Sequence, residues 1–298
     1  MQKKTLILKS FLFLLATFST AFSSPTSYLD SDPGARPSGM GSAFTGLSDD
    51  GNAPIFNPAG LTNMGLNQFE ASASVGILTQ DRLHNFLSAS QQLPPKSYLG
   101  FDVIQYGVNN IDGRDVNGLP TSNLQDIELS LATSYAYEIS YQFKIGIRSS
   151  FLYQNLAEVN SRGFGGVDIG IIVIPSVLYD FTIGACIHHL GGFLTWDTGN
   201  TEYLSPDLRI GFSQKFLSQT LILAYDAEWL MQSNLTIIHH AGIEWWTQKF
   251  LAFRGGWDQN DPTAGISVRY LNYSLDYSFR FESNNLGNSQ RITLNLAL

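Results

Sequence analysis

Residues 273–282 read YSLDYSFRFE, and their side chains divide into two faces. Tyr273, Leu275, Tyr277, Phe279 and Phe281 fall on one side, Ser274, Asp276, Ser278, Arg280 and Glu282 on the other. A repeat of two is the side-chain period of an extended strand, and about ten residues carry a tilted strand across a bilayer. The pattern recurs upstream. Leu221, Leu223, Tyr225, Ala227, Trp229 and Met231 oppose Asp226 and Glu228; Leu208, Ile210 and Phe212 oppose Asp207, Arg209 and Ser213; Ile145 and Ile147 oppose Lys144 and Arg148. The final residues set Ile292, Leu294, Leu296 and Leu298 against Arg291, Thr293 and Asn295.

Fourteen such segments run through the chain, at 67–79, 84–92, 97–107, 127–138, 141–155, 163–174, 177–189, 206–216, 219–230, 236–247, 250–258, 263–271, 273–282 and 290–298. An even count suits a single-chain bacterial barrel, which alternates short turns at one end with longer loops at the other. The connections after even-numbered segments are short, as at 93–96 and 271–272. The longer ones follow odd-numbered segments, at 108–126, 190–205, 259–262 and 283–289.

Solvation decides which face is outside. A charge facing hydrocarbon costs roughly 2–4 kcal/mol at mid-membrane depth. The face bearing Lys144, Arg148, Asp168, Asp180, Asp207, Arg209, Asp226, Glu228, Glu244, Arg254, Arg269, Asp276, Arg280 and Arg291 is therefore expected to look inward, and the leucine and aromatic face to meet lipid. Closure of the sheet pairs every backbone group, as lipid requires. The expected fold is all-β, a transmembrane antiparallel barrel of about fourteen strands.

Composition agrees with this reading. The 298 residues are 14% charged and 13% aromatic, against about 25% charged in an ordinary soluble domain. Residues 1–23 follow the secretory pattern: Lys3, Lys4 and Lys9, an apolar run at 11–18, and small residues at Ala21 and Ser23. The formal charge is −8, and −11 without those three lysines, which excludes a basic nucleic-acid footprint. Cys186 is the only cysteine and is expected to be a buried filler.

Residues 34–61, GARPSGMGSAFTGLSDDGNAPIFNPAGL, break the alternation. They are rich in small residues, and a short helix is expected near 38–47. The organisation expected is a signal peptide at 1–23, a hatch or plug at 24–66 and a barrel at 67–298. Gly39 and Gly41 lack the strand context of a nucleotide loop. His188-His189 and His239-His240 cannot chelate as pairs, since strand neighbours point to opposite faces; His188 and His240 are the inward members. No Ser-His-Asp arrangement sits at a nucleophile turn. Catalytic, metal and cofactor sites are all expected to be absent.

The hatch stretch resembles the N-terminal signature of the PorV/PorQ family of outer-membrane proteins, related in architecture to FadL-type hydrophobic-compound transporters. The likeness rests on Ala35-Arg36, on Gly39 to Phe44, on Asp49-Asp50, and above all on Asn57-Pro58-Ala59-Gly60-Leu61. Looser echoes lie at Asp226-Ala227-Glu228-Trp229, His240-Ala241-Gly242-Ile243-Glu244-Trp245, Arg254-Gly255-Gly256, and Leu286-Gly287 followed by Gln290-Arg291-Ile292. The resemblance implies a hatch-plugged barrel in the outer membrane of a Gram-negative-type bacterium, with Gly39, Gly41, Phe44, Asn57, Pro58, Ala59 and Gly60 as structural or gating positions. It implies lipid and hydrophobic small molecules as partners, or, as the alternative, proteins of a type IX-like secretion system bound through the loops. The transport reading expects an apolar pocket between Phe44, Ile55, Phe56 and Leu61 and the inner wall.

Overall fold

The computed structural model describes residues 29, 31–64, 69–231, 236–283 and 287–298. The leader, the start of the segment at 67–79 and Leu286 lie outside them. The strands are β1 (Phe69–Ile77), β2 (Leu83–Leu93), β3 (Ser97–Ile111), β4 (Leu124–Ser140), β5 (Phe143–Leu156), β6 (Val159–Val173), β7 (Phe181–Leu190), β8 (Phe193–Trp196) and β9 (Thr201–Tyr203). They continue as β10 (Asp207–Phe216), β11 (Leu221–Leu230), β12 (Thr236–Gln248), β13 (Leu251–Asp258), β14 (Asp261–Tyr270), β15 (Tyr273–Arg280) and β16 (Ser289–Ala297).

Fourteen of these strands close an antiparallel barrel. Each pairs with its barrel neighbours in chain order, with β10 following β7, and the first joins the last: β1 pairs β16 from Glu70↔Ala297 to Ile77↔Gln290. Phe69 and Leu298 extend that seam by exchanging two backbone hydrogen bonds of 3.1 and 2.9 Å. Among the described residues the barrel itself has no open edge, and each expected segment overlaps one barrel strand.

The differences lie in the connections. The stretch expected as a loop at 190–205 holds its own hairpin, β8–β9, which pairs onto β6 from Ser161↔Trp196 to Phe164↔Phe193. The β13–β14 connection is only residues 259–260, shorter than expected. Asp261 continues the ladder opposite Asp258 and accepts hydrogen bonds from Arg280 and the Ser283 amide. At the short-turn end the β6–β7 connection spans 174–180. It carries Asp180 into the open at φ 55°, so this residue does not face the lumen as expected.

The two faces are inverted relative to a soluble protein. Asp102, Arg148, Asp168, Asp226, Glu244, Arg254, Asp276 and Arg291 are buried on the inner wall. Val75, Leu87, Phe101, Tyr135, Ile147, Leu223 and Leu294 point outward, 42–57% exposed. An apolar belt around a charged interior is stable only with hydrocarbon outside.

Candidate functional site

The barrel interior is filled by residues 31–64. This hatch has a one-turn helix at Ala35–Gly39, a second at Ala53–Phe56 and a 3-10 segment at Pro58–Asn63. The helix expected near 38–47 ends at Gly39 because Gly41 (φ +62°) and Ser42 (φ +65°) take left-handed conformations and reverse the chain. A tight turn follows, with the Leu47 and Ser48 amides donating to the Phe44 carbonyl at 3.0 and 2.8 Å.

Each residue of the Asn-Pro-Ala-Gly run has a physical task. The Asn57 side chain accepts from the Ala59 amide (3.1 Å), capping the 3-10 segment, and donates to the carbonyls of Thr45 (3.2 Å) and Ile171 (2.9 Å). One side chain thus ties two hatch turns to β6. Pro58 opens the segment, where its missing N–H costs nothing. Ala59 is fully buried, and a Cβ at Gly60 would meet Ser48 and, at 3.1 Å, Ala53.

The wall meets the hatch through glycines. Three pairs lie directly opposite one another across strands: Gly146 and Gly170, Gly184 and Gly211, Gly242 and Gly256. A Cβ at Gly146 would run into Ala59 and Pro58; at Gly170, into Asn57 and Pro58; at Gly184, into Thr45. One at Gly211 would stand 2.7 Å from the Gly46 nitrogen, one at Gly242 would strike Met40, and one at Gly256 would strike Gly41. Gly39 packs on Gly265, its added Cβ 3.2 Å from that Cα. Glycine within a strand marks close approach of another backbone. Here the approaching backbone is the hatch.

Charges fasten the seat. Arg36 sits at the hub: Nε and Nη2 donate to Glu244 (2.8 and 3.0 Å), and Nη1 donates to Asp49 (2.7 Å) and Asp50 (3.0 Å). Glu244 also accepts from Arg254 (2.6 Å), which reaches Asp276 at 2.9 Å. Asp226 receives the Phe44 and Thr45 amides (3.0 and 2.9 Å) and Arg209 Nε (3.0 Å). Arg148 bridges Asp102 and Asp168, and Arg280 bridges Asp258 and Asp261. His240 stands between Glu228 (3.2 Å) and Asp258 (2.9 Å). Arg291 donates to hatch Ser38 and Ser31. In the hatch, burial pushes the Asp49 carboxyl up, but Arg36 and Lys215 outweigh it and hold it below the usual carboxylate range. Burial of Asp50 outweighs Arg36 and lifts that carboxyl above the range.

Of the expected lumen residues, the structure joins Asp226, Glu244, Arg254 and Asp276 to the hatch or its hub, and Glu228 and Arg148 to neighbouring wall networks. Arg269 differs. It is exposed at the short-turn rim, its guanidinium 4.2 Å from the Trp246 ring centroid, because β14 ends one residue later. Arg36, Asp49 and Asp50 were visible only as part of a resemblance, and the hydrogen bonds that join them to Glu244 emerge from the fold. Asp102 carried a signal that alternation missed: it shares the inner face of β3 with Ile104 and Gly100.

At the expected apolar pocket a cavity of about 50 Å³ lies between Ile55 and Phe56 of the hatch and the inner wall, and more polar than apolar side chains line it. Phe44 and Phe56 pack edge to face at 5.3 Å, within a cluster of Met40, Ala43, Leu47, Ile222 and Ala224, and Arg36 and Arg209 cover their rings. Leu61 packs elsewhere, on Met64, Tyr98 and Ala136. A second apolar cluster, Leu29, Phe86, Ile104, Leu152, Leu194 and Leu204, closes the long-loop side. Leu29 and Ile104 of this cluster also line the cavity of about 50 Å³, opposite Asp168, His188, Asp207, Arg209 and Glu228. A larger cavity of about 340 Å³ opens at the short-turn end beside Arg36, Asp49, Asp50 and Arg269.

Neither a protein-family model nor a curated protein matches the chain by sequence. Solved structures match its fold. The Pseudomonas putida toluene transporter TodX superposes with a TM-score of 0.63 at 12% identity, over 89% of this chain and 96% of that one. The Ralstonia pickettii toluene transporter TbuX gives 0.61 at 15%, over 89% and 97%. A Pseudomonas aeruginosa FadL homologue gives 0.59 at 12%, over 93% and 99%. The chain therefore shares with these proteins the closed fourteen-strand antiparallel barrel fold.

Proposed function

We propose that this chain is an outer-membrane barrel that passes hydrophobic small molecules and is gated by its hatch. The observation that carries the reading is the fold shared over about nine-tenths of both chains with two toluene transporters and a FadL homologue. Residues 1–23 would direct export and be removed, residues 24–66 would form the hatch, and residues 67–298 the barrel. Transport, not catalysis, is the activity this fold suggests.

Among the described residues the seated hatch packs its apolar side chains against the wall, and in this reading passage requires hatch residues to move. The apolar clusters around Leu29 and Phe44 would then become contact surfaces for the permeant. Uptake of radiolabelled toluene by cells producing the protein tests the reading. Saturable uptake above that of cells lacking it is expected, and equal rates would refute it.

The PorV/PorQ likeness, carried by Asn57-Pro58-Ala59-Gly60-Leu61, favours the second reading, an accessory barrel of a type IX-like secretion system. Its docking surfaces would be the connection at 112–123, where Val116 and Leu119 are exposed, and the β8–β9 hairpin. A secreted protein retained stoichiometrically on barrel purified from native membranes would favour it over transport.

A further inference from the structure

On the inner wall near the long-loop end, two carboxylates stand without a counter-charge. Asp126 and Glu128 lie two residues apart on one face of β4, Asp126 half-buried and Glu128 only 7% exposed. The charge of Asp126 acts on Glu128, and among the described residues no positive group acts on either. Arg82 reaches Tyr106, the residue opposite Glu128 on β3, but donates to the Tyr106 hydroxyl (3.0 Å) and to Thr79, not to either acid. Among the described residues no three of histidine, cysteine, aspartate and glutamate gather as a metal centre, so an ion held here would complete its shell with neutral oxygens.

Such oxygens are at hand. Strand register sets Gln154 of β5 beside Glu128, and Ser161 of β6 beside Gln154. Gln154 is 7% exposed; its Nε2 donates to Glu128 Oε1 at 2.6 Å, and its own Oε1 has no partner. Ser161 is fully buried and its Oγ has no partner, and the same holds for Ser130, two residues beyond Glu128 on the same face. Asp126 Oδ1 is likewise buried and unbonded. Ile104 and Leu152 flank Ser130 and form an apolar floor one rung below.

Two close carboxylates withdrawn from water do not both stay ionised without a counter-charge, so a proton or a cation joins them. A proton shared between the acids would still leave Gln154 Oε1 without a donor, whereas a cation engages that oxygen as well. We propose that Asp126, Glu128, Gln154 and Ser161 hold one hard divalent cation, calcium or magnesium. The donors are all oxygens, the set such ions take, and water fills their remaining positions. The ion ties β4 to β5 and β6 above the floor of Ile104 and Leu152. The site stands apart from the transport reading, because its occupancy is measured without a permeant and with the hatch seated.

Purified full-length protein in a nonionic detergent is stripped with EDTA, dialysed into potassium chloride buffer and titrated calorimetrically with calcium chloride and with magnesium chloride. Saturable binding of either ion supports the proposal. Glu128→Gln and Asp126→Asn should each weaken it about tenfold or more, while Glu158→Gln, exposed in the β5–β6 turn at the same end, should not. Each of the first two removes one charge from an uncompensated pair, so both variants should fold. Heat-modifiable mobility on a gel reports folding, and if one variant does not fold, the other decides. The bound ion should also raise the unfolding temperature of the wild type and leave that of Glu128→Gln unmoved. Saturable binding of neither ion would leave the acids sharing a proton and overturn the site, as would wild-type affinity in either folded variant.

Discussion

Replacing Arg36 with methionine removes the cation that locks the hatch while keeping much of its volume. The guanidinium makes four hydrogen bonds to three carboxylates, Glu244, Asp49 and Asp50. Without it, Glu244 keeps Arg254 and Asp49 keeps Lys215, but Asp50 is left with no cation among the described residues. Removing one partner of a buried ion pair costs roughly 3–5 kcal/mol. Two of the three carboxylates remain paired, so the lower end, about 3 kcal/mol, applies here. Since 1.4 kcal/mol is a factor of ten, the ratio of seated to displaced hatch falls about a hundredfold. The assay is cleavage within residues 34–63 by a protease added to liposome-reconstituted barrel, with bilayer conductance measured alongside. Arg36→Met should be cleaved about a hundredfold faster, and Asp50→Asn in the same background should recover part of the difference by removing the stranded charge. Protection equal to wild type in Arg36→Met would refute the lock.

Further substitutions probe the other fastenings. Gly170→Val drives a side chain into Asn57 and Pro58 and should unseat the hatch at a cost of roughly 1–3 kcal/mol, whereas Gly255→Ala, whose new methyl meets only Ile243 at 3.7 Å, should leave protease protection unchanged. Asn57→Ala deletes a cap and two further hydrogen bonds and should cost about 2 kcal/mol, read as a lowered unfolding temperature. Asp49 and Asp50 respond oppositely to acid. Asp50, raised when seated, adds stability as pH falls through its raised value, so Asp50→Asn should abolish that gain in hatch protection. Asp49, lowered when seated, supplies stability present above the unfolded carboxylate value of 3.8 and lost as pH falls through its lower seated value; Asp49→Asn should abolish that loss.

The barrel was legible because its signal is local. Period-two alternation in residues 273–282 survives as β15, and solvation alone turned Asp226, Glu244 and Arg254 inward. The hatch was legible as an interruption, but its geometry was not. The positive φ at Gly41 and Ser42 displaced the helix, and no local pattern announces a reversal imposed by the surrounding wall. The six paired wall glycines stood in the sequence as small residues within strands. Their meaning depends on register, which places Gly146 beside Gly170 and both beneath Pro58. The hub on Arg36 joins positions 36 and 244, a long-range contact that alternation cannot supply. The β8–β9 hairpin escaped because its strands are four and three residues long, too short for periodicity.

In the proposed transport function, passage requires the hatch to leave its seat. A Cβ at Gly39 would stand 3.5 Å from the Ser278 Cβ, within the range a disulfide spans, so a Gly39→Cys, Ser278→Cys pair in a Cys186→Ala background fastens the hatch to β15. Toluene uptake measured in the oxidised and reduced states gives the most direct test. Uptake abolished on oxidation and restored by reductant is the predicted result, and equal uptake in both states, with the cross-link verified by mass spectrometry, would contradict it.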